Sequence, residues 1–211
     1  MEFIPVLETL LNAFSGPGVG FMYAITAVLA LALAILLERA FLFIFRWRAD
    51  VDGATEALQN QNPKRAIELA GPVIGPVLAR GSQENTSERA WEAMGAAAIR
   101  AESTVRHRLS YLAASANIAT MLGLLGTVYG LVVAFSALGD AGASATDQLS
   151  DGIATAMATT AFGLCVAIPC LAAHAWLAAR ADTLLANMEA LAAEAHLAFQ
   201  KSQEKPPSNL A

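Results

Sequence analysis

The sequence predicts an all-α membrane protein with three transmembrane helices, its N-terminus outside, its C-terminus cytoplasmic, and long helices extending into the cytoplasm. Three observations predict it. Of 211 residues, 56% are hydrophobic and 15% charged, with a mean hydropathy of +0.50, which is too apolar for an ordinary globular domain. Uncharged apolar runs occupy residues 19–37, 111–139 and 152–179, and about 20 such residues cross the hydrocarbon as a helix. All 13 Lys and Arg fall in two blocks, from Arg39 to Arg108 and from Arg180 to Lys205. By the positive-inside rule those blocks are cytoplasmic and the intervening loop is external.

In chain order, Phe3, Ile4, Leu7, Leu10, Leu11 and Phe14 follow helical spacing, so residues 1–16 read as an amphipathic helix lying on the outer leaflet. Glu2 and Glu8 make that end acidic, unlike the basic start of a cleaved signal peptide. Gly16, Pro17 and Gly18 break it, and residues 17–45 form the first transmembrane helix. Glu38 and Arg39 close that span as an interfacial pair, with Glu38 as an intramembrane carboxylate the alternative. Phe41, Phe43, Phe45 and Trp47 with Arg46 and Arg48 form an interfacial belt.

Residues 46–85 read as a cytoplasmic helical segment. One short helix is expected at 52–60 and another from Pro63, where proline suits the first turn, with bends at Pro72 and Pro76. Asn85 followed by Glu88 reads as a cap. No proline interrupts the next stretch until Pro169, so residues 86–138 are expected as one helix of roughly fifty residues, about 75 Å long, that includes the second span. Residues 139–151, with Asp140, Asp147 and Asp151, form a periplasmic loop. Residues 152–179 form the third transmembrane helix, 180–201 a cytoplasmic helix, and 202–211 a disordered tail.

The second span carries the most informative pattern. Gly123, Gly126, Thr127 and Gly130 leave one stripe with little side-chain bulk, and Gly126 to Gly130 is a G-x-x-x-G. Small residues let helices approach closely where lipid supplies no hydrophobic drive, so this stripe is expected to meet other protein. In the third span Thr155, Thr159 and Thr160 place hydroxyls beside Ala156, Gly163 and Ala167, and Pro169 releases backbone groups.

No carboxylate, amine, guanidinium or imidazole lies between Tyr111 and Asp140 or between Asp151 and His174. Threonines orient water, coordinate a cation or hydrogen-bond a carboxylate, but they do not relay protons by titration. If the chain conducts ions, the titrating group comes from another chain. The competing reading is that these threonines bond their own i−4 carbonyls or join helices at about 0.6 kcal/mol per contact.

Other chemistries find no support in the residues. His107, His174 and His196 offer no ligand spacing and read as interfacial or surface residues, so no metal is expected. Cys165 and Cys170, five apart in an apolar run, read as packing residues. There is no G-x-S-x-G, no paired intramembrane Asp and no nucleotide-binding glycine loop, so no catalytic residue is assigned. The net charge of −5 gives no nucleic-acid footprint.

RLSYLAASANIATMLGLLGTVYGLVVAF followed by GIATAMATTAFGLCVAIP resembles the MotA/TolQ/ExbB proton-channel family, and most closely its TolQ/ExbB branch; the ERAF ending of the first span resembles it more weakly. The resemblance implies a bacterial inner-membrane homopentamer around two copies of a single-span partner of the ExbD/TolR/MotB type that brings one transmembrane Asp. It implies an ion-driven motor with no cofactor, transporting H+, with Na+ the open alternative. Thr127 in GLLGTV and Thr160 in TTAFGL match the family's pore threonines. Gly163 and Pro169 match its kinked third span. Thr155 stands where ExbB-like members often carry Glu, leaving the partner Asp as sole titrating group, and Thr155 and Thr159 add oxygen ligands to the ion pathway. Thr120 stands where many members have Pro, which implies a straighter second span. A non-conducting membrane scaffold is the second reading, separated from the first by whether an adjacent gene encodes a single-span protein with a mid-membrane Asp. The process energised is not written in the chain, although a short cytoplasmic segment tilts away from swimming.

Overall fold

The computed structural model describes Phe14, residues 18–140 and residues 145–204. The expected outer-leaflet helix, apart from Phe14, lies outside the described residues, as do 141–144 of the expected loop and 205–211 of the expected tail.

The described chain is all-helical, with three helical stretches long and apolar enough to cross a membrane, Val19–Arg46, Ser87–Ser136 and Leu149–Lys201. In order come α1 (Val19–Phe41), a single π-helical turn (Leu42–Arg46), α2 (Val51–Gln59), α3 (Pro63–Leu69), α4 (Gly71–Gly81), α5 (Ser87–Arg106), α6 (Leu109–Asp140) and α7 (Ala145–Glu204). The described residues divide into two compact units, one within 1–37 and 108–176, the other within 38–107 and 177–211.

In the first unit α1, α6 and the first half of α7 pack through small residues. Ala116, Ala119, Ala134, Ala156 and Ala158 are buried there together with Met22, Ile25 and Leu112. Phe14 meets Tyr23 and Phe162 edge-on at 5.8 and 5.7 Å. Leu124, Leu125, Val132, Ile168 and Leu171 face outward, as bulky apolar residues of a membrane helix do when the smooth face is the one that packs.

In the second unit the short helices are capped and turned by their own sequence. Asp50 Oδ1 accepts from Gly53 N (3.0 Å) and Asn62 Oδ1 from Arg65 N (3.2 Å), with Pro63 at the first turn, each satisfying a backbone donor that the helix start leaves open. Gly71, at φ +75°, joins α3 to α4 where a Cβ would collide with the Arg48 carbonyl. Ile74, Val77, Met94, Val105, Leu177, Met188 and Leu191 form the buried core. Arg106 donates to Glu102 (2.9 Å) and pairs with Asp182 (3.0 Å). The Glu102 bond first, then the Asp182 charge, hold its guanidinium above its ordinary pKa against opposing desolvation.

Four segments differ from what the residues alone suggest. The helix expected over 86–138 is broken: α5 ends at Arg106, Arg108 adopts φ +67°, and α6 begins at Leu109. No proline or glycine marks the break. An uninterrupted helix would use the Thr104 carbonyl to accept from the Arg108 N–H, but Arg39 Nη1 donates to that carbonyl instead (3.3 Å). Secondly, the expected loop of 139–151 is mostly helix, because α6 runs to Asp140 and α7 starts at Ala145. Acidity marked it as a loop, yet residues 145–151 contain no glycine or proline and nothing that stops a helix. Thirdly, the segments expected at 152–179 and 180–201 are one helix with Pro169 inside it. Lastly, the cap position before α5 is Thr86, not Asn85; Pro72 opens α4 and Pro76 lies inside it.

Candidate functional site

The glycine stripe of α6 meets α7 of the same chain. A Cβ on Gly123 would lie 3.2 Å from the Thr159 carbonyl oxygen and 3.3 Å from the Gly163 Cα. On Gly130 it would lie 2.8 Å from the Ala156 Cβ, and on Gly163 2.7 Å from the Ala119 carbonyl oxygen. On Gly126 it would collide with the Thr159 methyl and approach Phe21 Cβ at 3.3 Å. A side chain at Gly126, Gly130 or Gly163 would collide with the facing helix and one at Gly123 would crowd it, so the protein expected against the smooth face is this chain's own third span.

That close approach lets hydroxyls cross the seam. Thr127 Oγ1 is 3.2 Å from both the Gly123 and Ala156 carbonyl oxygens and is hydrogen-bonded to Thr160 Oγ1. Thr160 Oγ1 is in turn 2.9 Å from the Gly123 carbonyl oxygen. The two hydroxyls own two protons between them, and each oxygen also accepts. Two directions satisfy the set: Thr160 donates to Thr127, which donates to a carbonyl, or Thr127 donates to Thr160, which donates to Gly123. Both threonines are half-buried. The pair can therefore turn one proton toward an incoming acceptor by giving up one internal bond, an exchange of hydrogen bond for hydrogen bond.

Thr159 is placed differently. It is 1% exposed, its hydroxyl donates to its own i−4 carbonyl at Thr155 (3.0 Å), its methyl packs on Gly126, and a Cβ on Gly18 would sit 3.5 Å from its oxygen. It fills the junction of the three helices. Thr155 is half-buried and contributes its backbone carbonyl to that bond. Pro169 is exposed, one position before buried Cys170; Cys165 is exposed, and both thiols are free. Among the described residues no cluster of His, Cys, Asp or Glu could hold a metal ion.

In the second unit, Glu38 and Arg39 pair at 3.9 Å, but unequally: the Glu38 side chain is 42% exposed and that of Arg39 only 6%. Beyond Thr104, Arg39 Nη2 donates to His107 Nδ1 at 3.3 Å, which leaves any neutral imidazole proton on Nε2. The guanidinium also lies 5.9 Å from the centre of the Trp47 ring, and the Trp47 and Phe43 ring centres are 4.8 Å apart in an edge-to-face arrangement. In the first unit His174 donates from Nδ1 to the Leu109 carbonyl at 2.9 Å. These anchors were missed in the sequence because their partners lie 65 or more residues away; the one local signal was an arginine at the end of an apolar helix beside a carboxylate.

Residues 68–190, over half of the 211, match the MotA/TolQ/ExbB proton channel family. The chain belongs to that family. It is 30% identical over 199 residues to the biopolymer transport protein exbB1 of Vibrio cholerae, an alignment covering 90% of this chain and 85% of that one. To the Tol-Pal system protein TolQ of Haemophilus influenzae it is 36% identical over 92 residues, 44% of this chain and 40% of TolQ. To the ExbB of Aquifex aeolicus it is 36% identical over 93 residues, 44% of this chain and 63% of that protein. These names fit the TolQ/ExbB branch of the MotA/TolQ/ExbB family. A solved structure of C. jejuni MotAB aligns over 97% of this chain and 85% of its own, at 14% identity and a TM-score of 0.38. The family region takes in the whole hydroxyl seam and starts within α3, so α1 and its Glu38–Arg39 end lie before it.

Proposed function

We propose that this chain is the pore-forming stator subunit of an ion-driven motor in the bacterial inner membrane, coupling a proton gradient to mechanical work through a single-span ExbD/TolR/MotB-like partner. Its N-terminus faces outward, and five copies surround two partner helices, each bearing one transmembrane Asp. The observation that carries this reading is the Thr127–Thr160 hydroxyl pair, half-buried and held across a glycine seam in spans that contain no titratable carboxylate.

The physical chemistry follows from that division of labour. Desolvation disfavours the charged form of a carboxylate and raises its pKa, while hydrogen bonds donated to it favour the ionised form. A wall of Thr127, Thr160 and the neighbouring Thr155 donates when the partner Asp is ionised and accepts when it is protonated, since each hydroxyl does either. Protonation from one side and release to the other then change which subunit wall the carboxyl prefers, and the preference is spent as motion. Thr159, enclosed within one subunit, holds the seam instead of meeting the ion. H+ is the transported ion of this proposal; a sodium-driven version would use threonine oxygens as ligands.

A non-conducting scaffold is the second reading, and one observation favours it. The hydroxyls of Thr127, Thr159 and Thr160 are all bonded within the chain. Replacing Thr160 by Val, close in size but without the hydroxyl, separates the two. Under the motor reading T160V assembles with its partner but loses gradient-driven activity, whereas full activity in T160V removes the threonine from the ion pathway. Activity that tracks a pH gradient and ignores a sodium gradient supports H+, and the reverse supports Na+.

A further inference from the structure

The second unit contains a cleft of about 330 Å³ that plays no part in the hydroxyl seam, lined by Trp47, Pro72, Pro76, Arg80, Arg100 and Thr104 among others. Its volume is at the lower end of the roughly 300–1,000 Å³ usual for small-ligand sites. No acidic side chain lines it. Arg80 and Arg100 are both exposed, and among the described residues neither forms a salt bridge, unlike Arg39, Arg65 and Arg106. Two other clefts of this unit are of mixed sign, one holding Glu194 and Lys201, the other Asp50, Glu56 and Arg65.

The rest of the wall is apolar and in part fixed beforehand. Trp47 packs against the Arg39 guanidinium and edge-to-face with Phe43, and Pro72 and Pro76 of α4 add rigid apolar lining. Trp47 also directly follows the π-helical turn that ends the first apolar helix. Around that turn Phe41, Ile44 and Phe45 are 59%, 42% and 69% exposed, the character of a surface that meets lipid. Tryptophan is enriched at the level where chains leave the hydrocarbon, and arginines near an anionic leaflet attract its headgroups. An acidic peptide would match the two charges but not the apolar hood beside them.

The geometry points to a binding site for an anionic glycerophospholipid, with its phosphate between Arg80 and Arg100 and its glycerol end against Trp47 and the prolines. The inference rests on the chain's three apolar spans and not on the motor reading; a non-conducting scaffold would bind the same lipid.

The test is native mass spectrometry of the full chain in detergent with phosphatidylglycerol added, phosphatidylcholine as the uncharged comparator, and inorganic phosphate or a poly-glutamate peptide as competitors. The wild type should prefer phosphatidylglycerol. R80Q and R100Q should each weaken its retention roughly fivefold, and together about 25-fold, at about one surface charge apiece. R80K/R100K, which keeps the charges, should retain most of it, and R89Q, on an exposed arginine outside the cleft, should change nothing. Both cleft arginines are exposed, and the lysine pair serves as the folded control for the glutamine pair. Unchanged retention in R80Q/R100Q, an equal effect of R89Q, or equal binding of phosphatidylcholine would overturn the assignment. So would full displacement of the lipid by inorganic phosphate or by the acidic peptide.

Discussion

Thr160 reaches from α7 across the seam to the Gly123 carbonyl on α6 at 2.9 Å, so a side chain of the third span completes the backbone of the second. This contact is possible because Gly123 and Gly163 face one another without Cβ atoms. Glycine content and hydroxyl chemistry are therefore one feature: the glycines bring the helices close, and closeness lets two hydroxyls share the carbonyls of Gly123 and Ala156.

The threonines should separate by function and not by burial alone. Thr159→Val keeps the methyl on Gly126 and loses only a bond to its own helix, so it should retain near-normal gradient-driven activity. Thr127→Val and Thr160→Val should each abolish it while lowering stability by only about 0.6 kcal/mol. Activity assays of the assembled complex, paired with its melting temperature, check the contrast; equal loss in all three would mean that the seam acts only as glue.

Crowding at Gly126 should be reversible by design. Gly126→Ala directs a methyl at the Thr159 Cγ2 and should destabilise the fold by roughly 1–3 kcal/mol, the usual cost of overpacking. Thr159→Ser removes that Cγ2, so the double variant should recover much of the loss. Gly20→Ala and Gly95→Ala, where an added Cβ meets nothing within 4 Å, should be neutral or stabilising by up to about 1 kcal/mol. Thermal unfolding in detergent measures all of these.

Arg39 should not tolerate its usual conservative replacement. One ammonium cannot donate to the Thr104 carbonyl and His107 Nδ1 while also presenting a flat cation to Trp47. Arg39→Lys should cost about 1–3 kcal/mol, as expected when a buried hydrogen-bonded charge is incompletely satisfied. The freed Thr104 carbonyl should then accept from the Arg108 N–H, and slower hydrogen exchange at Arg108 would report the mended helix. Unchanged exchange and unchanged melting would show that Arg39 does not hold the break.

The caps of the short helices offer a simpler check. Asp50→Ala and Asn62→Ala each remove the acceptor for one open backbone N–H and should each cost about 1 kcal/mol, read as a lower melting temperature with little change in the transmembrane helices.

The three spans were legible because crossing a bilayer depends on the sum of local hydropathy, which Val19–Arg46 or Leu149–Lys201 carry without help from distant residues. The Gly123–Gly126–Gly130 stripe was legible for the same reason: its spacing alone defines a smooth face. Which helix covers that face was not, since nothing in the second span names Ala156 and Gly163 as its neighbours. Helical spacing put Thr155 and Thr159 on one face with Thr160 on the next, but only packing shows Thr159 enclosed and Thr160 bridging. The break at His107–Arg108 lacked any local signal: no proline or glycine stands there, and the side chain bonded to the Thr104 carbonyl is Arg39, 65 residues before Thr104. The acidic stretch before Gly152 misled for the opposite reason: charge does not report backbone conformation, and the last helix already begins at Ala145.

The central claim is that hydroxyls from this chain answer the protonation of a carboxyl brought by a partner. The most direct measurement is proton uptake by proteoliposomes containing the purified complex with its single-span partner, under an imposed pH gradient and voltage. The account predicts flux that disappears when the partner's mid-membrane Asp is changed to Asn and also disappears in Thr160→Val, with subunit and partner still co-purifying. Undiminished flux in Thr160→Val, or flux from this chain reconstituted without any partner, would contradict it.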